Sequence, residues 1–181
     1  MHDVGGLMRL MGGPEAFVRK LDALFDQASL LEGEIPPADI AALVGQYAHG
    51  SAECHHIPYL YAYAGAPWKS AARVRQIAST LYATGPEGLC GSEECGQLSA
   101  WYIFAAMGFY PVNQAEGVYV IGAPQARTAT IELGGQRAFT IEAPDLSPVN
   151  TYVTCAALNG APLDRCWIGH ADLAQGGTLR L

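Results

Sequence analysis

Apolar residues recur every three or four positions in the first part of the chain, which is the pattern of amphipathic helices. Three segments show it: GGPEAFVRKLDALF, PPADIAALVGQYAHG and APWKSAARVRQIASTLYATG. The first two have Pro14 and Pro37 near their starts, where the first helical turn tolerates a proline, and Gly85 is placed to end the third. The predicted inner faces comprise Phe17, Leu21, Leu24 and Phe25; Ile40, Leu43, Val44 and Tyr47; and Trp68, Val74, Ile77 and Leu81. The spacing therefore predicts three amphipathic helices.

A fourth segment, QLSAWYIFAAMGF, is apolar on nearly every side. Such a pattern is typical of a helix that is buried on most of its surface. Histidines and acidic residues lie in the loops between the predicted helices. We therefore expect a helical array with a functional end.

The period of the pattern changes after YPV. The segments GVYVIGA, TATIEL, AFTIEA and TYVTCAAL are short and rich in β-branched residues, as strands are. Turn residues separate them, and Asn159-Gly160 is the strongest hairpin signal. The fold class predicted is α+β, with a helical region over residues 1–112 and an antiparallel β region over residues 113–181.

Composition and charge narrow the possible partners. The chain has 181 residues, half of them hydrophobic, which is enough for a sizeable buried core. Its formal net charge of −7 argues against nucleic-acid binding, which needs a basic face. No apolar run approaches the roughly 20 residues that span a bilayer, and no signal-peptide layout opens the chain.

Cysteine usage favours no particular metal site. The count of five is odd, so at least one thiol is unpaired within a monomer. Cys90 and Cys95 lack the two-residue spacing of a zinc knuckle. A disulfide joining Cys90 to Cys95, or Cys155 to Cys166, stays open for an oxidising compartment.

The stretch GLCGSEECGQ places Glu93 and Glu94 just before the fourth predicted helix. Carboxylates at that position cap the free N–H groups of a helix. Flanking glycines at 88, 91 and 96 would also let a ligand approach the backbone closely. Capping and ligand binding are both consistent with the sequence.

A second loop, HGSAECHH, carries His49, Glu53, His55 and His56. These residue types suit a metal or sugar site, with nitrogen and sulfur ligands for zinc and oxygen ligands for calcium. Adjacent histidines point in different directions, so both can hardly bind one ion. The alternative is that the histidines and the tyrosines that follow them belong to the core.

Long stretches of the sequence resemble glycoside hydrolase family 92, the exo-α-mannosidases. The resemblance is carried by GQYAHGSAECHHIPYLYAYAGAPWKS and GLCGSEECGQLSAWYIFAAMGFYPV, and extends to the opening HDVGGLMRL and to the closing AALNGAPLDRCWIGH. It implies calcium-dependent, inverting removal of terminal α-linked mannose from oligosaccharides or glycoprotein glycans. It also implies that the helices are part of an (α/α)6-type barrel.

The resemblance further implies that this chain is the C-terminal portion of a periplasmic or secreted enzyme. The general acid of the family would lie upstream of His2, so we expect little activity from the chain alone. The missing N-terminal part would cover apolar helix faces. Without it, those faces would be exposed or would form a homo-oligomer interface.

Site residues follow from the same resemblance. The catalytic positions are Ser92, Glu93 and Glu94, which match the acidic motif that supplies the base. The family's metal positions fall on Ser51, Ala52 and Glu94, and Glu53 would take the place of the carboxylate lost at Ala52, so the predicted metal residues are Ser51, Glu53 and Glu94. The predicted substrate-binding residues are His49, His55 and His56. The family has Asn-Glu where this chain has Ser51-Ala52, so a carboxylate is lost and calcium should bind weakly.

Two other functions stay open. One is a non-catalytic carbohydrate-binding or assembly module whose active site has eroded, since tyrosine and tryptophan faces suit sugars. The other is a zinc hydrolase that uses His49, His55 and His56. A binding module would bind mannose without calcium, whereas a zinc hydrolase would contain zinc after purification.

Overall fold

The computed structural model describes residues 2–30 and 40–181. Over these residues the chain forms six α-helices: α1 (Val4–Leu10), α2 (Pro14–Asp26), α3 (Leu60–Tyr63), α4 (Pro67–Thr80), α5 (Gln97–Met107) and α6 (His170–Gln175). Ten strands accompany them, and most lie after α5. The mixed α+β class is confirmed, whereas the barrel and the domain boundary near residue 112 stay predictions.

Helices α2 and α4 confirm two of the predicted amphipathic segments. Both begin at a proline, and their inner faces bury Phe17 and Phe25 in α2 and Ile77 in α4. The prediction that Trp68 faces inward is wrong, because its side chain is 53% exposed. Trp68 lies in the first turn of α4 and borders a cavity instead of the core.

The helix predicted over PPADIAALVGQYAHG is wrong in its described part, and Pro37 lies outside the described residues. Strands β1 (Leu43–Val44) and β2 (Tyr47–Ala48) form an antiparallel hairpin there. Gly45 at its turn has φ +63°, and a Cβ atom would lie 2.4 Å from the carbonyl oxygen of Phe25. The hairpin therefore packs its backbone against the end of α2, which a helix would not allow.

Helix α5 confirms the fourth predicted helix but is less buried than expected. Leu98, Trp101 and Ala105 are buried, whereas Tyr102 and Ile103 are exposed. Leu7, Leu10 and Met11 at α1 are exposed too, so apolar helix faces occur as predicted. Association of two copies through these faces stays a prediction.

Two larger sheets follow α5. The three-stranded sheet is antiparallel in the order β3 (Phe109–Tyr110), β4 (Val118–Ile121), β9 (Trp167–Gly169). The five-stranded sheet has the order β5 (Thr128–Glu132), β6 (Ala138–Glu142), β10 (Gly177–Arg180), β7 (Ala157–Leu158), β8 (Ala161–Pro162). Strand β10 thus lies in the middle of its sheet.

The sheets correct the predicted antiparallel region in two respects. Strand β10 pairs with β6 in parallel, so the five-stranded sheet is mixed. Within TYVTCAAL only Ala157–Leu158 is a strand. The hairpin predicted at Asn159-Gly160 is confirmed: it joins β7 to β8, and both turn residues have positive φ.

Two apolar clusters form the core. The larger joins α2, α3, α4 and α5 around Trp101, and the smaller joins the five-stranded sheet to Phe109 and Ile168. All five cysteines are free thiols. Within the described residues, no helix is long and apolar enough to cross a membrane.

Candidate functional site

The acidic loop, residues 88–97, and the histidine loop, residues 49–56, meet in space. A Cβ atom added to Gly91 would lie 2.6 Å from the Cα atom of Gly50 and 2.7 Å from its carbonyl oxygen. The backbones are therefore in direct contact, at a point where neither loop has a side chain. Glycine at position 91 is needed for this approach.

His55 connects the histidine loop to α5. Its Nε2 atom lies 2.9 Å from the carbonyl oxygen of His49, and its Nδ1 atom lies 3.2 Å from Nε2 of Gln97. The indole N–H of Trp101 donates to the carbonyl oxygen of His55 at 3.0 Å. Because the Gln97 amide donates to Nδ1, the His55 proton lies on Nε2 and donates to His49.

His49 lies behind His55 and is fully buried. Its Nδ1 atom is 2.7 Å from the hydroxyl of Tyr47, and its Nε2 atom is 2.7 Å from the hydroxyl of Tyr82. The Tyr82 hydroxyl donates onward to the carbonyl oxygen of Leu98 at 3.2 Å. It therefore accepts from Nε2 of His49, while Nδ1 accepts from Tyr47. This network fixes His49 as a neutral imidazole.

Burial keeps these rings uncharged. Burial and the neighbouring His55 lower the pKa of His49 to about 3. Burial also lowers the pKa of His55, although its hydrogen bond to the His49 carbonyl opposes that shift. All four ring nitrogens are occupied by partners within the chain, so the geometry favours a role in connecting the loops. Contact of His49 and His55 with a substrate stays a prediction.

We expect the stability of the protein to fall as the pH is lowered from about 6.5 towards 4. A histidine with a lowered pKa in the folded state binds its proton first in the unfolded chain, so acid favours unfolding. His49 alone should give a slope of up to about 1.4 kcal/mol per pH unit in that interval. Urea unfolding at a series of pH values, followed by circular dichroism, measures this slope.

The variant His49→Gln should lose most of this slope, because glutamine keeps polar atoms in the network but does not titrate. The variant His2→Gln serves as the control, since His2 is exposed. Equal slopes in the wild type and His49→Gln would show that His49 is not held neutral.

Glu93 caps α5. Both of its carboxylate oxygens lie 3.2 Å from the backbone N–H of Ser99 in the first turn of the helix. The chain reaches α5 through Cys95 and Gly96, which both have left-handed backbone conformations. The capping interpretation of Glu93 is therefore confirmed, and its carboxylate has a fixed orientation at the helix start.

The other acids of the two loops are exposed and each pairs with a serine. Ser51 donates to Glu53 at 2.6 Å, and Ser92 lies 3.4 Å from Glu94. The Ser51 hydrogen bond lowers the pKa of Glu53, which therefore carries a negative charge near neutral pH. The hydrogen bond recorded for the Glu94 carboxylate is to Ser92 and not to α5, and the side chain is exposed.

A cavity of about 330 Å³ opens beside the histidine loop. Its polar lining consists of Glu53, His56, Gln97, Tyr110 and Gln114. Burial lowers the pKa of His56 to about 4, so this ring is a neutral donor or acceptor at the cavity wall. Of the three predicted substrate-binding histidines, His56 is the one that lines this cavity.

The predicted calcium residues offer suitable atoms but an incomplete set. Ser51, Glu53 and Glu94 supply hydroxyl and carboxylate oxygens, the type that calcium binds, but calcium takes six to eight of them. Over residues 2–30 and 40–181, no three His, Cys, Asp or Glu side chains cluster closely enough to hold a metal ion. Calcium binding at Ser51, Glu53 and Glu94 therefore stays a prediction.

Comparison with known proteins identifies the family to which this arrangement belongs. A family model described as the glycosyl hydrolase family 92 catalytic domain matches residues 1–181. The chain belongs to glycosyl hydrolase family 92. The resemblance found in the loop motifs is thereby confirmed over the whole sequence.

Relatives in family 92 are much longer than this chain. An uncharacterized secreted glycosidase of Arthroderma benhamiae is 32% identical over 99% of this chain, which spans 21% of that protein. One solved structure is a family 92 α-mannosidase of Bacteroides thetaiotaomicron in complex with mannoimidazole. It is 38% identical with a TM-score of 0.91, and the match covers 99% of this chain and 23% of that enzyme. A family 92 inverting mannosidase of the same species is 40% identical with a TM-score of 0.84, and the match covers 99% of this chain and 25% of that enzyme. This family 92 chain thus spans about a fifth to a quarter of the relatives it matches.

Sequence reasoning missed the residues that join the two loops of this family 92 chain. Gln97 contacts both His55 and the hydroxyl of Tyr110, and Tyr82 holds His49 against α5. The available signal was a polar residue at the start of an otherwise apolar helix. Gln97 is that residue, and its side-chain amide forms a hydrogen bond with His55 of the histidine loop.

Proposed function

We propose that this family 92 chain forms one side of a glycosidase site that removes terminal α-linked mannose. The observation that supports it is the contact between Gly91 and Gly50, which holds the acidic loop against the histidine loop. Glycan hydrolysis needs carboxylates and neutral hydrogen-bonding groups close to one sugar ring. The two loops supply both kinds of group.

We assign the base to Glu94 and a positioning role to Glu93. In an inverting reaction the base takes a proton from the water that attacks the anomeric carbon, while an acid protonates the leaving oxygen. Glu93 is already bonded to the first turn of α5, whereas Glu94 is exposed beside Ser92. The Ser92 hydroxyl can orient the Glu94 carboxylate. The general acid is not among the site residues predicted for this chain.

The cavity beside the histidine loop is proposed to bind the hydroxyl groups of the terminal sugar. His56 and Gln97 present neutral polar atoms there, and Glu53 presents a charged acceptor. His49 and His55 act from behind, since they connect the loop to Trp101 and Gln97. Calcium dependence stays an expectation from the family, and no step of this proposal passes through the metal.

The proposal is tested with 4-nitrophenyl α-mannoside as substrate, with and without added calcium. We expect slow, measurable release of nitrophenol from the α-mannoside and none from the β-mannoside. Loss of an acid or a base typically costs 10²–10⁴ in rate, so a chain without the family's acid should be slow. We expect calcium to bind no more tightly than about 10⁻⁴ to 10⁻³ M, which is the weak range for protein sites.

The matched control is a preparation of the variant Gly91→Val, in which the added side chain would separate the loops. It should lose the α-mannoside activity while remaining folded by circular dichroism. Fast turnover by the wild-type chain would contradict the expectation that the general acid lies upstream of His2. Equal α- and β-mannoside rates, or no rate above the buffer, would contradict the assigned site.

A non-catalytic carbohydrate-binding module is the second candidate. It is favoured by the use of Glu93 as a helix cap and by the Ser51–Glu53 hydrogen bond, which satisfies a predicted metal residue internally. Such a module would bind mannose without calcium and without hydrolysis. The zinc-hydrolase hypothesis is disfavoured, because the ring nitrogens of His49 and His55 are already hydrogen bonded within the chain.

The longer protein is proposed to act outside the cytoplasm on α-mannoside oligosaccharides or glycoprotein glycans. The relative in A. benhamiae is a secreted glycosidase, and the relatives in B. thetaiotaomicron are mannosidases. The apolar surfaces at Leu10 and Ile103 are proposed to contact the remainder of such a protein or a second copy of the chain.

A further inference from the structure

Two exposed tryptophans border one cavity on the side of the molecule formed by α4 and β9. Trp68 is 53% exposed and Trp167 is 40% exposed, and both line a cavity of about 410 Å³. That volume falls within the roughly 300–1,000 Å³ typical of small-molecule sites. Large exposed aromatic side chains facing one cavity indicate a binding surface.

Polar groups lie beside these rings and are held in place. Arg165 stacks on Trp167, with 4.5 Å between its guanidinium carbon and the ring centroid. Its Nε atom donates to the carbonyl oxygen of Trp167 at 3.1 Å, and Nη2 lies 3.3 Å from Asp172. Asp164 lines the same cavity. The cavity therefore combines indole surface with fixed donors and acceptors.

A second cavity of about 400 Å³ adjoins the first at Trp167. Tyr63 and Glu116 line it, and the two cavities share Trp167 and Cys166. The hydroxyl of Tyr63 is buried, with no hydrogen-bond partner among the described residues. We refer to these two adjoining cavities, which have Trp68, Trp167 and Tyr63 among their lining residues, as the groove.

The groove uses different elements from the candidate catalytic loops but is adjacent to them. The short 3-10 helix Gln114–Glu116 connects them, because Gln114 lines the cavity beside the histidine loop and Glu116 lines the groove. An extended ligand could therefore pass from one to the other. No residue of the groove belongs to the predicted catalytic, metal or substrate set.

We propose that this groove binds a neutral oligosaccharide, as an accessory site for the part of a glycan that lies away from the terminal sugar. The C–H faces of sugar rings pack on indole rings, and their hydroxyls bond to carboxylate and guanidinium groups. The identity of the ligand as a glycan rests on the proposed function. The location of the groove does not.

Charge separates a neutral ligand from an anionic one. The carboxylates of Asp164 and Glu116 line the groove, and the guanidinium of Arg165 is already paired with Asp172. The whole chain also has a net charge of −7. Phosphorylated or acidic ligands are therefore repelled, whereas a neutral sugar chain is not.

Tryptophan fluorescence tests the proposal on the 181-residue protein, with α-1,2-linked mannotriose as the probe. Trp101 is fully buried, so acrylamide reaches mainly Trp68 and Trp167. We expect mannotriose to protect the wild type from quenching in a saturable manner. The variants Trp68→Ala and Trp167→Ala should raise the Kd about five- to tenfold, measured by calorimetry. Trp68→Phe should retain most of the affinity.

The matched control is Tyr102→Ala, which removes an aromatic side chain that is 37% exposed, lies in α5 and does not line the groove. Its affinity should equal that of the wild type. No protection of the wild type, or unchanged affinity in both tryptophan variants, would overturn the groove. Binding that survives in the tryptophan variants but is lost in His56→Ala would place the sugar in the catalytic cavity instead.

Failure of the proposed function gives a different result. In that case the wild type would show no release of nitrophenol from the aryl α-mannoside, yet mannotriose would still protect its tryptophans. A protein with hydrolysis but without protection would retain the proposed function and lose the groove.

Discussion

Replacing Trp101 with alanine is expected to lower the free energy of unfolding by about 3–5 kcal/mol, the range for large-to-small changes in a core. Trp101 is fully buried. Its ring centroid lies 4.4 Å from that of His49, and its indole N–H holds the carbonyl of His55. The substitution therefore leaves a cavity and also an unpaired carbonyl. Urea unfolding monitored by far-ultraviolet circular dichroism measures the change.

The matched control is Trp68→Ala, because the same side chain is removed from an exposed position. A surface substitution of this kind usually changes stability by about 0.5 kcal/mol or less. If Trp101→Ala were also within about 1 kcal/mol of the wild type, Trp101 would not be the centre of the larger core. A less severe variant, Trp101→Phe, keeps the measurement possible if the alanine variant does not fold.

Replacing Glu94 with glutamine is expected to lower the rate of α-mannoside hydrolysis by about 10²–10⁴, the usual contribution of a general base. Glutamine has nearly the same shape but does not accept the proton of the attacking water. The Glu94 side chain is exposed and its hydrogen bond is to Ser92 rather than to α5, so the stability should change little. Initial rates at high protein concentration and one unfolding curve measure both quantities.

Glu93→Gln is the comparison that separates the two adjacent acids. Glu93 is bonded to the N–H of Ser99, so loss of its charge should cost about 0.3–1 kcal/mol of stability through the helix dipole. Its effect on the rate should be much smaller than that of Glu94→Gln. The opposite order of rates would assign the base to Glu93, and a rate above one tenth in both variants would remove the base from this loop.

Local signals in the sequence predicted the elements whose conformation depends on neighbours along the chain. Pro14 at the start of α2 and the turn residues Asn159 and Gly160 are of this kind. The β1–β2 hairpin was mistaken for a helix because its apolar residues happen to follow a helical period. Its conformation is set by contact of Gly45 and Gln46 with the end of α2, which no local pattern contains.

The sequence predicts which loops form the candidate site, but it does not predict how their side chains are arranged. The family motifs named the acidic and histidine loops, and the structure brings their glycines into contact. The sequence could not tell which histidine faces a cavity. That depends on Tyr47 in β2, Tyr82 after α4 and Trp101 in α5, which all contact His49.

Strand β10 holds the five-stranded sheet together. Every ladder between the hairpin β5–β6 and the hairpin β7–β8 passes through Gly177–Arg180. An isolated two-stranded hairpin is marginally stable in water, whereas three or more strands with an apolar face persist. The cooperativity of this sheet therefore depends on one short segment, and a lesion in it would split the sheet into two ribbons that melt independently.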